Sequence, residues 1–93
     1  MIFEWDDEKE QINIKKHGID FETASYVFHD ENRIEIYDEL HSEYEDRYIT
    51  IGMIDKITCI AMVVYTERGT DIVRIISARK ATQKERRNYY DYS

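Results

Sequence analysis

The spacing of apolar and polar residues predicts a run of strands in the second half of the chain. Residues 71–79 alternate in the manner of a half-buried strand, which places Arg74 on one face and Arg79 on the other. The segments 47–53 and 56–66 are rich in apolar and β-branched residues. We therefore expect these three segments to form an antiparallel meander.

Weaker patterns predict two more strands in the first half. A short apolar start over 2–5 indicates a first strand, and a weak alternation over 33–37 indicates another. The stretch 38–46 is acidic and is expected to form an exposed loop.

Capping patterns predict two helices near the start of the chain. Asp7 and Glu10 have the spacing of a capping box for a first helix that ends near His17, before Gly18. Asp20 is placed to cap a second helix, whose narrow apolar stripe is suited to packing on a sheet. The stripe consists of Phe21, Ala24, Val27 and Phe28.

A further capping box, Thr82 with Glu85, predicts that a last helix begins near Gln83. The positive end of that helix dipole would lie beside Arg79 and Lys80, where the preceding strand ends. Backbone N–H groups and fixed cations converge at such a junction, and we expect it to bind a phosphate.

The order of predicted elements, β-α-α-β-β-β-β-α, favours an α+β fold with helices packed on an antiparallel sheet. The 93 residues allow one domain, spanning 1–93, with a modest core. Cys59 is the only cysteine, which excludes an internal disulfide and favours a reducing cytoplasm. No apolar segment approaches the roughly 20 residues of a membrane span, so we expect no membrane partner.

The formal charge of −7 is unevenly distributed along the chain. Residues 1–46 carry 4 basic and 15 acidic side chains, a net charge of −11, whereas residues 47–93 carry 9 basic and 5 acidic side chains, a net charge of +4. Such halves suit different partners, because a cationic face holds a phosphate backbone and an acidic face docks a basic protein. Ordinary solvated faces give the same counts.

The first helix carries a polar face formed by Lys9, Asn13 and Lys16, which follow one another at helical spacing. This face is suited to binding a substrate together with His17. Cations in the last turn of a helix also stabilise its dipole and need no other role.

The histidines do not indicate a metal site. His17, His29 and His41 lack helical or zinc-like spacing, and a single cysteine cannot form a thiolate cluster. We therefore expect neither a metal nor another cofactor.

A group of four arginines lies on or beside consecutive predicted strands, so strand pairing can bring them together. Arginine presents a planar, permanently charged fork that suits phosphate oxygens and a charged transition state. Salt bridges to the many carboxylates are the alternative. The group consists of Arg47, Arg68, Arg74 and Arg79.

Two adjacent tyrosines lie near the end of the last helix. Helical spacing pairs Glu85 with Tyr89 and Arg86 with Tyr90, so one tyrosine is expected to face the sheet. A tyrosine beside arginines is suited to stacking on a base or to proton transfer, although most tyrosines in a small chain serve packing.

The order of these residues along the chain resembles that in the BrnT family of type II toxins. These toxins are small members of the RelE-like ribonuclease group. The resemblance extends nearly end to end, and no motif of the family falls in the acidic stretch 38–46. Its residues are Phe3-Glu4-Trp5-Asp6, Lys9, Asn13, Lys16-His17-Gly18-Ile19, Phe21, Ala24, Val27-Phe28, Arg47, Gly52, Tyr65-Thr66, Arg68, Arg74 to Arg79, Ala81, Glu85-Arg86 and Tyr89.

The resemblance implies a RelE-like fold and a bacterial ribonuclease that halts translation by cleaving RNA without a metal. It also implies a cognate BrnA-like antitoxin that inactivates the toxin and supplies the DNA-binding part of the complex, so that DNA is contacted only indirectly. By position, the resemblance assigns transition-state stabilisation and proton transfer to Arg68, Arg79 and Tyr89. It assigns the holding of RNA to Lys16, His17, Arg47 and Arg74.

The general base stays open between His17 and Glu85, because an arginine with a pKa above ~12 is a poor base. An alternative function is a non-catalytic interaction module, or an inactive toxin homologue, whose charged faces dock a partner protein. A direct DNA-binding regulator is the weakest alternative, since no predicted helix carries the basic run of a recognition helix.

Overall fold

A computed structural model describes residues 1–92 as a five-stranded sheet with helices on both faces. Three short 3₁₀ helices cover Tyr26–His29, Glu39–His41 and Asp55–Ile57. The strands and α-helices are, in chain order, β1 (Ile2–Glu4), α1 (Asp7–His17), α2 (Phe21–Ser25), β2 (Ile34–Tyr37), β3 (Arg47–Ile54), β4 (Cys59–Arg68), β5 (Ile72–Lys80) and α3 (Gln83–Tyr92).

The strands lie in the order β1-β5-β4-β3-β2. From β2 to β5 each strand pairs antiparallel with the next, so the predicted meander is confirmed and includes β2 as a fourth strand. Only β1 departs from this pattern among residues 1–92, because it pairs in parallel with β5. The α+β class and the order of elements are confirmed.

The first helix has its predicted extent but a different cap. The cap is Asp6, whose side chain accepts hydrogen bonds from the N–H groups of Glu8 and Lys9 at 2.8 and 3.2 Å. The predicted capping box of Asp7 with Glu10 is therefore wrong. Instead, the Glu10 carboxylate accepts a hydrogen bond from the Phe21 N–H at 2.9 Å and ties α1 to the start of α2.

The second helix is shorter than its apolar stripe. It is capped by Asp20 as predicted, ends at Ser25, and continues as the 3₁₀ helix Tyr26–His29. The 3₁₀ helix packs closely on β3 at Gly52, where an added Cβ would lie 2.9 Å from the Cβ of Arg33 and 3.0 Å from Val27. Glycine thus permits the helical layer to approach the sheet. The stripe is confirmed as a packing surface, since Phe21, Ala24 and Val27 are buried and Phe28 packs against them.

A β-bulge in β5 changes which side chains share a face. Val64 of β4 lies opposite Ser77, and Tyr65 lies opposite Ile75, so Ile76 has no partner on β4. An extra residue of this kind shifts the alternation of faces by one position. The prediction that Arg74 and Arg79 lie on opposite faces is therefore wrong, because a regular alternation was assumed across the bulge.

The two faces of the sheet pack against different helices. The larger core lies between the sheet and the segment formed by α1 and α2, and its fully buried side chains include Phe21, Ile54 and Tyr65. A smaller cluster on the other face joins Tyr89 of α3 to Ile51 and Ile60. The same face also carries partly buried side chains of β2, β3 and β4, among them Ile34, Ile49 and Met62.

Candidate functional site

The four arginines project from the same face of the sheet. Arg47, Thr66 and Arg74 lie directly opposite one another on β3, β4 and β5, and opposite residues share a face. Arg68 lies two positions after Thr66 on β4 and therefore shares its face. Arg79 lies opposite Met62, which is four positions before Thr66 on β4, so Arg79 shares that face as well. We call this surface, formed by Arg47, Arg68, Arg74 and Arg79, the arginine face.

A carboxylate from β1 occupies one end of the arginine face. The Glu4 carboxylate lies 2.6 Å from a terminal nitrogen of Arg74 and 3.7 Å from one of Arg68. Glu4 lies opposite Arg74 because β1 and β5 run in parallel. A carboxylate of the protein itself therefore already lies against these two guanidinium groups.

Two polar atoms next to Arg74 are buried without a hydrogen-bond partner among residues 1–92. They are the Nε of Arg47 and the hydroxyl oxygen of Thr66, which lie opposite each other on β3 and β4. Buried polar atoms in folded proteins are nearly always hydrogen-bonded. A donor and a hydroxyl in this state lie beside Arg74 and are out of reach of solvent in this structure.

The second part of the site is the junction between β5 and α3. Arg79 donates two hydrogen bonds to the Glu85 carboxylate, at 2.8 and 3.0 Å. The predicted capping box is confirmed, because Glu85 accepts from the Thr82 N–H at 2.8 Å and donates its own N–H to the Thr82 hydroxyl at 3.1 Å. The hydrogen bond from Arg79 lowers the pKa of Glu85 against the opposing effect of burial.

Tyr89 is the tyrosine that faces the sheet. Its side chain is 5% exposed, and its hydroxyl donates a hydrogen bond to the Asp30 carboxylate at 2.6 Å. Burial, followed by that hydrogen bond, raises the pKa of Tyr89 to about 12. Burial alone would raise the pKa of Asp30, but hydrogen bonds from the Met53 N–H, from Tyr89 and from the Asn32 N–H lower it overall.

Lys16 and His17 form a third group at the end of α1. Both are exposed and line a groove with Ser77 and Ile76 at the bulge of β5. Asn13, which was expected to belong to the same polar face, is buried instead, and its amide bonds to the backbone of β5. Asn13 does line the same groove as Lys16 and His17, but its amide is engaged by the backbone and is not available to a substrate while these bonds hold.

The predicted residues thus fall into three groups rather than a single cluster. Arg47, Arg68 and Arg74 form one end of the arginine face, Arg79 lies with Glu85 at the junction, and Lys16 lies with His17 beside the bulge. Tyr89 belongs to the junction helix but is engaged by Asp30.

Sequence reasoning missed two acidic partners in this site. Glu4 forms ion pairs with Arg74 and Arg68 because β1 pairs in parallel with β5, and no local sequence pattern indicates that pairing. Asp30 lies 59 positions from Tyr89 in the sequence. The alternation of β-strands offers no signal for either contact, because both depend on how distant elements dock.

Neither a cluster of metal ligands nor a membrane-spanning helix is present among residues 1–92. Among residues 1–92, no group of three or more His, Cys, Asp or Glu side chains is placed to hold a metal ion. None of the helices within that range has both the length and the apolar composition needed to cross a membrane.

Comparison with known proteins identifies the family. A family model described as the ribonuclease toxin BrnT of type II toxin-antitoxin systems matches residues 5–85. The crystal structure of the Brucella abortus ribonuclease toxin BrnT is similar to this chain, with a TM-score of 0.69 and 27% sequence identity. The similarity covers 89% of this chain and 100% of that chain. A search of curated proteins gave no match. Because the family model spans most of the sequence, the chain belongs to the BrnT family of ribonuclease toxins of type II toxin-antitoxin systems.

Proposed function

We propose that this protein cleaves RNA without a metal, that the cleavage inhibits translation, and that a cognate BrnA-like antitoxin neutralises it. The observation that carries the proposal is the arginine face, where Arg47, Arg68, Arg74 and Arg79 project from one side of the sheet. Family membership supplies the RNA target and the antitoxin partner.

The proposed reaction is an internal phosphoryl transfer. The 2′-hydroxyl of the RNA attacks the adjacent phosphorus, the bond from phosphorus to the 5′-oxygen breaks, and the products are a 2′,3′-cyclic phosphate and a 5′-hydroxyl. Negative charge accumulates on the phosphate oxygens in the transition state, and fixed cations stabilise that charge. We assign this stabilisation to Arg79. Arg68 lies at the other end of the arginine face, six positions along β4 from the partner of Arg79, and is assigned to a neighbouring phosphate.

The remaining cations are assigned to holding the RNA. Arg47 and Arg74 flank the unpartnered hydroxyl of Thr66 and are suited to gripping one phosphate between two strands. Strands in a sheet lie about 4.8 Å apart, so two side chains separated by one strand can reach a common phosphate. Lys16 and His17 lie beside the bulge of β5 and are assigned to the RNA close to the attacking 2′-hydroxyl.

Proton transfer requires one group to take the proton of the 2′-hydroxyl and another to protonate the leaving oxygen. The lowered pKa of Glu85 makes that carboxylate a weaker base, whereas His17 is exposed beside the bulge of β5, so we favour His17. The raised pKa of Tyr89 keeps its hydroxyl protonated at neutral pH, which suits a proton donor. Tyr89 would have to exchange its hydrogen bond to Asp30 for one to the RNA.

The antitoxin is proposed to cover the arginine face and to supply the DNA-binding part of the complex. Under this proposal the toxin contacts DNA only indirectly and acts in the cytoplasm, without a membrane partner. An antitoxin carboxylate would replace the phosphate at the position that Glu4 marks.

Purified protein provides the test, with a labelled RNA and with EDTA present to remove metal ions. We expect cleavage with 2′,3′-cyclic phosphate ends, abolished in Arg79→Gln and in Arg47→Gln, and growth arrest when the wild type is expressed without antitoxin. Lys84→Ala is the matched control, because Lys84 is an exposed cation of α3 outside the proposed site. Folded wild-type protein that leaves RNA intact and growth unimpaired would refute the proposal.

A second candidate is a non-catalytic interaction module or an inactive toxin homologue. Glu4 and Glu85 occupy the guanidinium groups of Arg68, Arg74 and Arg79, as a purely structural set of salt bridges would. This candidate predicts that Arg79→Gln weakens folding or antitoxin binding while the wild type itself leaves RNA uncut. Calorimetric titration with the antitoxin, alongside the cleavage assay, separates the two candidates.

A further inference from the structure

Three cations, one at the end of β5 and two in α3, form no ion pair with a carboxylate, in contrast to most cations of the arginine face. None of the ion pairs formed among residues 1–92 includes Lys80, Arg86 or Arg87, and all three side chains are exposed. A phosphate that binds them displaces no internal partner. These three cations are therefore more accessible to an external phosphate than those of the arginine face.

These free cations border a groove with an aromatic wall. The groove has a volume of about 480 Å³, which is within the usual range for a small-molecule site. A shallower depression continues it past Tyr90 to Arg87. We call this feature the Tyr90 groove, and its main lining residues are Met53, Ile57, Ile60, Lys80, Arg86 and Tyr90.

The aromatic wall is exposed but braced. Tyr90 is 58% exposed, and its ring contacts that of Tyr89 edge to face, with centroids 5.2 Å apart. Tyr89 is in turn anchored by its hydrogen bond to Asp30. A ring supported in this way loses little further freedom when a planar group stacks on it.

The groove adjoins the junction that holds Arg79. Lys80 follows Arg79 in β5, and the Arg79 guanidinium donates a hydrogen bond to the Lys80 carbonyl oxygen at 3.1 Å. Arg86 follows Glu85, the carboxylate that binds Arg79. An RNA strand with its phosphate at Arg79 would therefore place a neighbouring nucleotide at the groove.

We propose that the Tyr90 groove binds one nucleotide of the RNA next to the phosphate that is cleaved. The base stacks on Tyr90 above the apolar floor of Met53 and Ile60, and Arg86 binds its phosphate. Stacking on an aromatic side chain tolerates any base, so this subsite contributes affinity and register rather than strict sequence preference. The proposal rests on the proposed ribonuclease function.

The chemistry of the groove favours RNA over a protein segment. Its lining combines an apolar floor and an aromatic wall with two cations, which is the combination that binds single-stranded nucleic acid. A basic antitoxin segment would be repelled by Lys80 and Arg86. An acidic antitoxin segment is the competing occupant, and loss of antitoxin affinity alone in the Tyr90 variants would identify it.

The test measures binding of a fluorescent ten-nucleotide RNA whose 2′-hydroxyls are methylated, so that it cannot be cleaved. Tyr90→Ala and Tyr90→Leu are expected to weaken binding by about 10-fold or more, because each removes the stacking surface. Tyr90→Phe is expected to bind as the wild type does. Tyr92→Ala is the matched control, since Tyr92 is 81% exposed on the same helix and lies outside the groove.

The charges of the groove are tested by salt titration. Arg86→Gln is expected to reduce the slope of log affinity against log salt by about 0.7, the value for one phosphate contact with a single strand. Lys84→Gln is the control, as an exposed cation of α3 that does not line the groove. An unchanged slope in Arg86→Gln would overturn the phosphate contact.

The outcomes separate this proposal from the proposed function. If the wild type cleaves RNA but Tyr90→Ala and Tyr90→Leu bind the oligonucleotide as tightly as the wild type, the nucleotide subsite is refuted and the ribonuclease function stands. If the wild type binds the oligonucleotide through Tyr90 but cleaves no RNA, the groove is an RNA-binding site, and the ribonuclease function is refuted together with the placement of the groove beside a cleaved phosphate. If the Tyr90 variants lose affinity for the antitoxin alone, the groove is a protein interface and the subsite is refuted.

Discussion

Asp30 joins two segments that are distant in sequence, since its carboxylate accepts hydrogen bonds from β3 and from α3. One oxygen accepts from the Met53 N–H at 2.7 Å and from the Tyr89 hydroxyl at 2.6 Å, and the other accepts from the Asn32 N–H at 2.9 Å. These bonds favour the ionised form, so the pKa of Asp30 lies below its ordinary value of 3.8 despite burial. The ionised carboxylate therefore stabilises the folded protein.

We expect Asp30→Asn to lower the free energy of unfolding at pH 7 by about 1–3 kcal/mol, because charge-assisted hydrogen bonds are lost. A lowered folded-state pKa gives a stabilisation that is fully present above the unfolded-state pKa and is lost as pH falls through the folded-state pKa. The difference between wild type and variant should therefore shrink below about pH 4. Urea denaturation at several pH values measures it, with the exposed Asp55→Asn as control. A difference that is constant from pH 7 to pH 2 would contradict this account.

Asn13 fixes α1 against the part of β5 that lies beyond β1. Its side-chain amide donates to the carbonyl oxygens of Ala78 and Ile19, both at 2.9 Å, and its side-chain oxygen accepts from the Ala78 N–H at 3.0 Å. The side chain thus takes the place of a neighbouring strand.

We expect Asn13→Leu to destabilise the protein by at least about 2 kcal/mol, because a leucine of similar size leaves three buried backbone groups without partners. Gln11→Leu makes a comparable change at an exposed position of α1 and should be nearly neutral. Thermal and urea denaturation of both variants give the comparison. Equal stability of the two variants would show that water satisfies those backbone groups.

At the scale of the elements, α3 depends on a cap that also holds Arg79. The Thr82 hydroxyl accepts the Glu85 N–H, while the Glu85 carboxylate binds both the Thr82 N–H and Arg79. We expect Thr82→Ala to cost about 1 kcal/mol, the usual value for loss of an N-cap side chain. Hydrogen exchange should increase chiefly in the first turn of α3. The exposed turn residue Thr70 provides the control, Thr70→Ala, and equal exchange in both variants would contradict the prediction.

The elements that the sequence predicts well are those with local causes. The capping box of α3, the end of α1 before Gly18 and the apolar stripe of α2 each depend on residues within one or two helical turns, and all three are confirmed. The cap of α1 differs because Asp6 and Asp7 are adjacent and chemically alike. In the structure Glu10 does not complete a capping box, because its carboxylate bonds to the start of α2.

The arrangement of the site depends on features without a local signal. The bulge at Ile76 moves Arg79 to the face of Arg74, and a pattern of alternating residues cannot reveal an extra unpaired position. The parallel pairing of β1 brings Glu4 to Arg74 across 70 positions of sequence. The sequence therefore identified cationic residues for the site, whereas their shared face and their acidic partners required the sheet register.

At the scale of the whole molecule, the acidic segment 38–46 opposes RNA binding at a distance. Within it, Glu39, Glu43 and Glu45 are exposed, and their carboxylates take part in none of the hydrogen bonds or ion pairs formed among residues 1–92. Changing all three to Gln shifts the formal charge from −7 to −4 without removing a contact. Their effect on an anionic ligand is therefore purely electrostatic.

Salt concentration determines how far that effect extends. The screening length is about 30 Å at 10 mM salt and about 10 Å at 0.1 M, and the molecule measures 31 × 26 × 25 Å. At about 10 mM salt, repulsion from the segment therefore reaches the arginine face, and we expect the triple Gln variant to bind the uncleavable RNA several-fold more tightly. The gain should largely disappear above about 0.2 M salt. A triple Glu→Asp variant keeps the charge and serves as control, and a gain that persists at high salt would mean that the segment touches the RNA directly.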